Sequence, residues 1–400
     1  MNPDQEQRSG PLSRGIKAAT KIQPNELAAT LLSFLFVFIL MTSYFMLRPV
    51  RDAMASDWTD AEVSTLWTIN FFLSLGAVAL YGFAISHVRF RWIVPGVYLF
   101  FAASFYCFYA GTTVVADAVL IDKSFYVWLS VFSLFHVSVF WSFMSDLFNK
   151  EQAPRLFGFI AMGSSVGAIA GPLLAGMTAN IVDARQLMLI SATMLLLPVP
   201  IFFVLQRLKV VALGNERQET DLSQQTLGRN PFSGFALFLK SPYLLGIACF
   251  ILLYVAISSF VYFEQKNLLA ELAREDRRQL LAWVDLAVNS LAILTAMFVT
   301  SRIATRLGMA ATLALVPALV VIGMLVLAVS PVIDIVFYRG GDMVWGWAFT
   351  GLTTGLGLGL GAVAVVGAVI AAIWAAVGAW LGRNFENAPD DHAMLMKDTT

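Results

Sequence analysis

The chain has 400 residues, of which 58% are hydrophobic and 13% charged, and its basic and acidic side chains balance to a formal net charge of zero. Soluble domains carry about 25% charged residues, so this composition excludes an ordinary soluble protein and indicates an integral membrane protein. The balanced charge gives no reason to expect a nucleic-acid partner. Its two cysteines, Cys107 and Cys249, both lie in apolar runs, which argues against a disulfide framework or a metal cluster, and no cofactor is expected.

The apolar stretches predict the fold class. Residues 1–26 form a polar tail without a removable signal peptide, the polar segment 207–242 divides the chain, and a second polar tail covers 382–400. A helix needs roughly 20 apolar residues to cross the bilayer, and eleven stretches qualify: 27–47, 62–84, 92–111, 125–144, 156–180, 186–206, 243–263, 280–300, 310–330, 344–360 and 362–381. The sequence therefore predicts an all-α, polytopic membrane protein with a six-helix bundle over 27–206 and a bundle of about five spans over 243–381.

Basic residues predict the orientation of these spans. Lys and Arg are more numerous in the loops on the side of the N-terminal tail than in the loops on the other side, and cytoplasmic loops carry an excess of basic residues. We therefore expect the N-terminus and the linker 207–242 in the cytoplasm.

Glycines indicate that the two bundles are related by an internal repeat. Four glycines recur 188 positions later in the chain: Gly158, Gly163, Gly167 and Gly171 match Gly346, Gly351, Gly355 and Gly359. The GxxxGxxxG spacing that both sets contain forms a ridge of small residues that lets helix backbones approach closely. Asn70 and Asn289, one amide in each of two apolar spans, match at an offset of 219. The second half is thus shorter by roughly one helix and its loop, and we interpret the chain as a pseudo-symmetric six-plus-six plan from which one helix is missing.

Charged residues cluster at the ends of the predicted spans, as Arg48, Arg51 and Asp52 do after the first span. The candidate substrate-binding residues are Arg48, Arg51, Asp146, Glu264, Lys266, Arg339 and Asp342, together with the amides Asn70 and Asn289. Near the interface a charge costs less than the roughly 3 kcal/mol of the bilayer centre, so an anchoring role competes with binding. Arg48 and Arg51 would share one helix face unless Pro49 breaks the helix. Their planar guanidinium groups suit phosphate or carboxylate recognition, and the carboxylates could neutralise them or carry protons.

His136 is the remaining polar candidate inside a span. It lies between Phe135 and Val137, and we interpret it first as a packed polar residue, with a proton relay or a catalytic base as the alternatives. The sequence contains no GxxxxGK[ST] loop, and an enzyme is not expected.

Three longer motifs resemble a known family of transporters. "YFMLRPVRDAM", "FMSDLFNKEQAPRLFGFIAMGSSVGAIAGP" and "IDIVFYRGGDMVWGW" resemble the ATP:ADP (NTP/NDP) antiporters of bacteria and plastids, which are similar to the major facilitator superfamily. The resemblance covers most of residues 27–383. It implies basic positions at Arg51 and Arg339 and acidic positions at Asp146 and near Glu264. It also implies a major-facilitator-like fold and exchange of a nucleoside triphosphate for a diphosphate by alternating access. We expect the protein in a bacterial inner membrane and as a monomer.

Two features depart from that family pattern, and three functions stay open. The loop "GFAISHVRFR" carries Ser86 and Arg89 where the superfamily has aspartate and glycine, and the missing span corresponds to helix 10. One hypothesis is a nucleotide exchanger that holds phosphates with Arg48, Arg51 and Arg339. The second is a proton-coupled permease for another solute, with Asp146 or Glu264 as proton carrier, and the third is a truncated paralogue that does not transport.

Overall fold

The computed structural model describes residues 22–87, 90–115, 117–179, 181–215, 241–295, 300–329 and 360–383. Within these ranges the regular secondary structure is helical: α1 Leu27–Ala55, α2 Asp60–His87, α3 Phe90–Val114, α4 Ala118–Leu147, α5 Ala153–Met177, α6 Ala184–Met194, α7 Pro198–Val211, α8 Pro242–Leu269, α9 Arg274–Leu294, α10 Thr300–Val329 and α11 Leu360–Arg383. The described residues contain no strand, and the predicted all-α fold class is confirmed.

Within the residues that the structure describes, seven helical segments are long and apolar enough to cross a membrane: Leu27–Ala55, Asp60–Ala84, Arg91–Val114, Ala118–Leu147, Ala153–Met177, Ala184–Val211 and Pro242–Leu269. The protein is therefore a multi-pass membrane protein. Helix α9 is excluded from this set because its first turns carry the charges of the segment REDRR. Helices α10 and α11 contribute shorter apolar segments, Ala310–Ile322 and Val365–Leu381. The predicted span 344–360 lies almost wholly outside the described residues, so the number of crossings in the second half stays a prediction.

One of the seven spans is interrupted in its middle. Helix α6 ends at Met194 and α7 begins at Pro198, and the three leucines 195–197 form a tight turn between them. The amides of Leu196 and Leu197 donate to carbonyl oxygens three residues back, at 3.1 Å each. Because Pro198 has no N–H, an ordinary helical ladder cannot run through this point.

The chain forms two compact units. Unit 1 takes Met1–Ala55, Ile69–Thr220 and Leu272–Asn289, and unit 2 takes Ser56–Thr68, Asp221–Glu271 and Ser290–Thr400. Unit 1 is built around α1, which packs against α4, α5, α6 and α7. Phe36 lies at the centre of this core, with its ring 5.5 Å from the rings of Tyr98 and Phe140. Burying such rings stabilises the bundle through their large contact area.

The glycine ridge of α5 packs directly against α1. A Cβ atom added to each of three glycines would approach a carbonyl oxygen of α1: Gly163 at 2.6 Å from Phe34 O, Gly167 at 2.6 Å from Phe38 O, and Gly171 at 2.7 Å from Thr42 O. A Cβ at Gly158, by contrast, would meet nothing within 4 Å. The predicted close approach is thus found at three of the four glycines of the first set. The glycines of the second set lie outside the described residues.

A buried glutamate joins the start of α1 to the start of α5 in unit 1. The Glu26 carboxylate accepts hydrogen bonds from Arg155 Nη2 at 2.8 Å and from Arg155 Nη1 at 3.2 Å. It also accepts one from the Gln23 amide at 3.0 Å. Burial alone would raise the pKa of Glu26, but these hydrogen bonds and the positive charge of Arg155 outweigh it, so the pKa lies below its usual value.

This pair predicts a loss of stability in acid. A carboxyl group with a lowered pKa contributes stability above the ordinary glutamate pKa of about 4.3, and the contribution disappears as the pH falls through the lowered value. We expect Glu26→Gln to reduce the melting temperature in detergent at about pH 7, with the difference from wild type closing towards about pH 3. A difference that stayed constant over this range would contradict the role of the Glu26 charge.

Unit 2 contains a smaller apolar core between α8, α10 and α11. Ile257 of α8 and Trp374 of α11 are buried together with Ala368 and Ala371. A Cβ at Gly378 would lie 2.9 Å from Leu313 O, so α10 and α11 also approach closely.

Candidate functional site

Helix α1 carries both candidate arginines of its span on one face. The helix continues through Pro49 to Ala55, so the proline does not break it, and residues three apart lie side by side on a helix. Arg48 is buried and the side chain of Arg51 nearly so. Neither guanidinium group is a solvated anchor, which leaves a buried polar role for the pair.

The two arginines form an arginine–aspartate cluster, which we define as Arg48, Arg51, Asp52 and Asp285. Arg48 Nη1 lies 2.9 Å from Asp285 Oδ1, and both side chains are less than a tenth exposed. Arg48 Nε lies 3.6 Å from Asp52 Oδ2. Arg51 donates to Asp52 Oδ1 from Nε at 2.9 Å and from Nη2 at 2.7 Å. All four residues belong to unit 1, and their formal charges cancel.

Neutral side chains also contact this cluster. Arg51 Nη1 donates to Ser130 Oγ at 3.3 Å, and the Arg51 guanidinium lies 5.4 Å from the ring centre of Tyr126. The Arg48 guanidinium lies 5.7 Å from the ring centre of Phe45. Such cation–π contacts stabilise a cation that has lost part of its water. Protein groups therefore replace part of the water that the two guanidinium groups have lost.

Helix α9 places Asp285 against Arg48. Its first turn is tied to the end of α1 by Arg277 Nη1, which donates to Ala53 O at 3.1 Å. Arg278 Nη2 donates to Ala179 O and Val182 O, both at 2.7 Å, in the segment after α5. Two turns later along α9, Asp285 reaches Arg48. The hydrogen bonds at the polar start of α9 thus fix the position of α9 along α1, and with it the point at which Asp285 contacts Arg48.

Asp285 was missed in the interpretation of the sequence, although a signal for it exists. It is the one carboxylate of the apolar run LLAWVDLAVNSLAIL, and ionisable residues inside membrane segments usually face polar partners. Asn289, which the repeat offset had identified, lies one turn further on and donates from Nδ2 to Asp285 O at 2.7 Å. Asn70 is not part of the cluster; its side chain accepts a hydrogen bond from Ser74 on its own helix.

Asp146 does not lie with the arginines, and here the interpretation of span-end carboxylates needs correction. Its Oδ2 atom pairs with Lys209 Nζ at 2.8 Å, and its side chain is 32% exposed. Asp146 follows Ser130 by 16 residues on α4, which is about 24 Å along a helix. Asp52 and Asp285 are carboxylates that do pair with these arginines.

Unit 2 contains the other described candidates. Lys266 Nζ lies 3.0 Å from Asp60 Oδ1 and donates to Trp58 O at 2.7 Å, so Lys266 fixes the residues that precede α2. Glu264, two residues earlier on α8, is fully buried. Arg339 and Asp342 lie outside the described residues, and their roles stay predictions.

His136 is enclosed by aromatic rings. Its ring centre lies 4.7 Å from that of Tyr44 and 5.1 Å from that of Phe132. Its Nδ1 atom is 3.2 Å from Phe132 O, and the Tyr98 hydroxyl donates to the His136 carbonyl at 3.1 Å. This environment favours the interpretation of a packed polar residue. In the described part of the chain, no group of His, Cys, Asp and Glu side chains is arranged to hold a metal ion.

Comparisons with known proteins identify the family. The model of the Major Facilitator Superfamily matches residues 33–389. A solved structure of similar fold is a bacterial homolog of the human lysosomal transporter Spinster, in an inward-facing and unoccupied conformation; it is 12% identical, with a TM-score of 0.50 over 90% of this chain and 81% of that chain. No curated protein matches the sequence. Neither match supports the narrower resemblance to ATP:ADP antiporters. The chain belongs to the Major Facilitator Superfamily, whose members are membrane secondary transporters.

Proposed function

We propose that this protein is a proton-coupled permease for a solute other than a nucleotide, and that the arginine–aspartate cluster carries the proton. The observation that supports this most directly is the buried ion pair between Arg48 Nη1 and Asp285 Oδ1, at 2.9 Å. Buried ion pairs are no more stabilising than apolar side chains of similar size. Ionisable groups within membrane segments commonly belong to solute or proton pathways.

Proton uptake by Asp285 would change the contact between α1 and α9. Protonated Asp285 no longer balances the charge of Arg48, and the attraction that joins the two helices weakens. Asp52 is less suited to this step, because it accepts hydrogen bonds from Nε and Nη2 of Arg51 and also lies near Arg48. Neutralising Asp52 would disrupt several contacts at once. We therefore assign the proton to Asp285.

The charges of the cluster weigh against nucleotide exchange. Of the three arginines that were expected to hold phosphates, Arg48 and Arg51 are already engaged by carboxylates, and Arg339 lies outside the described residues. A nucleoside triphosphate brings several negative charges, each of which needs compensation away from water. Of the two carboxylates that the sequence suggested as proton carriers, Asp146 is partly exposed beside Lys209 and is the weaker candidate. Glu264 is buried and is a second carboxylate to be tested.

Purified protein in proteoliposomes tests this function. With an external acid pH and a fluorescent pH indicator inside the vesicles, a transported solute should accelerate proton entry, and a protonophore should abolish solute accumulation. Asp285→Asn should abolish solute-driven proton entry. Asp122→Asn, which breaks a different ion pair of unit 1, to Arg274 at 2.6 Å, should retain it and serves as the matched control.

Two outcomes would overturn the proposal. Uptake of labelled ATP that requires internal ADP and ignores the pH gradient would restore the exchanger hypothesis. Purified, monodisperse protein that moves neither nucleotides nor any solute of a broad panel would favour the truncated paralogue. Glu264→Gln measured beside Asp285→Asn decides which of the two buried carboxylates carries the proton.

A further inference from the structure

We infer that the start of α3 and the end of α7 together bind an anionic phospholipid of the surrounding bilayer. The two helices pack against each other within unit 1. Their ends lie at the same level, because the ring centres of Trp92 on α3 and Phe203 on α7 are 6.3 Å apart. Each helix also carries an arginine near its ring, Arg91 on α3 and Arg207 on α7. We call these four side chains the arginine–aromatic patch.

The two rings of the patch lie on the surface of unit 1. Trp92 is 55% exposed and Phe203 is 42% exposed, and Trp92 is the third residue of its helix. Tryptophan is enriched where the hydrocarbon of a bilayer gives way to the headgroups, because one end of its ring is apolar and the other is polar. The rings therefore place the patch at the boundary between acyl chains and headgroups.

The two arginines supply positive charge at this boundary. The Arg91 guanidinium lies 5.5 Å from the ring centre of Trp92. Arg207 follows Phe203 by one turn of α7, about 6 Å along the axis, and so lies on the same face. Both arginines are exposed, and within the described part of the chain no ion pair joins either of them to a carboxylate. Both guanidinium groups can therefore bind a ligand.

The two helices contain no acidic residue that would compete for these arginines. Arg91 is the one charged residue in the sequence of α3, and Arg207 and Lys209 are those of α7. Lys209 pairs with Asp146 of the neighbouring helix α4 at 2.8 Å, so each of those two charges already has a partner. The N-terminus of α3 adds the partial positive charge of a helix start. This end of the helix pair therefore attracts anions.

A depression on α3 leads from the patch towards the middle of the membrane. Gly96 and Phe100 follow Trp92 at intervals of four residues, so the three lie along one face of the helix. All three are exposed, and a Cβ atom added to Gly96 would meet nothing within 4 Å. The missing side chain leaves open space between two exposed aromatic residues, which suits a flexible acyl chain.

A phospholipid with a net negative charge matches both the patch and the depression. Its phosphate is an anion that planar guanidinium groups bind through paired hydrogen bonds, and its acyl chain can lie over Gly96. A zwitterionic phospholipid carries an ammonium group beside its phosphate, so its attraction to the two arginines is weaker. A soluble phosphate has no chain to fill the apolar depression. The combination therefore favours an anionic lipid over both.

Lipid binding by the purified full-length chain tests this inference. Native mass spectrometry measures the affinities for dioleoyl phosphatidylglycerol and dioleoyl phosphatidylcholine, and we expect a preference for phosphatidylglycerol. A basic residue near a membrane surface contributes about fivefold to the affinity for anionic lipid, so Arg91→Gln combined with Arg207→Gln should lose about thirtyfold. Arg185→Gln removes another exposed arginine of unit 1, at the opposite end of the sixth span, and should keep the preference.

A second variant separates the depression from the charges. Gly96→Leu fills the open space on α3 and leaves both arginines in place. It should weaken the binding of phosphatidylglycerol and phosphatidylcholine by a similar factor, and so keep the preference for the anionic lipid. A Gly96→Leu protein that binds both lipids as the wild type does would show that the acyl chain does not lie on this face of α3.

Melting temperatures of the wild type in detergent give a readout that needs no variant. A lipid that binds the folded protein stabilises it, so phosphatidylglycerol should raise the melting temperature more than phosphatidylcholine does. Salt screens exposed charges, and about 1 M NaCl should remove this difference. A difference that is unaffected by salt would overturn the role of the arginines, even if the double arginine variant could not be purified.

Three further outcomes would overturn the inference. They are equal affinity of the wild type for the two lipids, a preference that persists in the double arginine variant, and a preference that Arg185→Gln removes to the same extent. Displacement of phosphatidylglycerol by an equal concentration of glycerol 3-phosphate would show a site for soluble phosphates instead of a lipid. These experiments measure binding and not transport, so their failure would leave the proposed function standing.

Discussion

Arg48→Ala should lower the free energy of unfolding by about 3–5 kcal/mol and abolish transport, the largest effect that we expect from a single substitution. Removing one partner of a buried ion pair leaves the other as an uncompensated charge, and this loss far exceeds the net contribution of the intact pair. Asp285 would be left buried without the guanidinium that lies 2.9 Å from its Oδ1 atom. Denaturation with SDS in detergent micelles, followed by tryptophan fluorescence, measures the change.

A double-mutant cycle identifies the cause of that loss. Arg48→Gln combined with Asp285→Asn replaces the ion pair by two neutral amides and should recover most of the stability, while proton-driven transport stays absent. The coupling energy of the cycle should then be a large part of the single-mutant effect. Recovery of neither stability nor expression in the double variant would show that Arg48 acts through Asp52 or through packing, and not through Asp285.

Gly167→Ala should destabilise unit 1 by about 1–3 kcal/mol, as overpacking of a tight interior does. The new Cβ atom would lie 2.6 Å from Phe38 O and 2.7 Å from Met41 Cβ, and a backbone carbonyl cannot turn aside as a flexible side chain can. Helices α1 and α5 would have to separate along the whole ridge. Melting temperatures in detergent, compared with wild type, provide the measurement.

Gly158→Ala is the matched control for this substitution. It lies on the same helix α5, but its added Cβ atom would meet nothing within 4 Å. Alanine is favoured over glycine inside a helix by about 1 kcal/mol, so this variant should be neutral or slightly stabilised. If both variants lowered the melting temperature equally, loss of a flexible glycine, and not contact with α1, would explain the effect.

The sequence was informative where a pattern is local. Composition and apolar runs predict the all-α membrane fold, and the spacing of Gly163, Gly167 and Gly171 predicts a close helix contact. The spacing of Arg48 and Arg51 likewise predicts a shared face. Each of these patterns repeats within a few turns of one helix, where geometry follows directly from residue number.

The distant residues that these glycines and arginines contact were not predictable in the same way. The helix that receives the glycine ridge, α1, and the carboxylate that meets Arg48, Asp285, are chosen by tertiary packing between segments far apart in the chain. The span-end carboxylates, Asp146 among them, were expected to neutralise the arginines or carry protons, and in the structure Asp146 pairs with Lys209. A lone carboxylate in an apolar run was a sufficient reason to consider Asp285, but not to pair it with a particular arginine.

The interruption at residues 195–197 affects how the sixth span is inserted into the membrane during synthesis. Helices α6 and α7 contain 11 and 14 residues, or about 16 Å and 21 Å of helix, whereas the hydrocarbon core is about 30 Å thick. Neither piece is long enough to enter the bilayer alone during synthesis, so the insertion machinery must accept both as one segment. Polar substitutions of these leucines would therefore impair membrane insertion of the sixth span, a step that precedes folding.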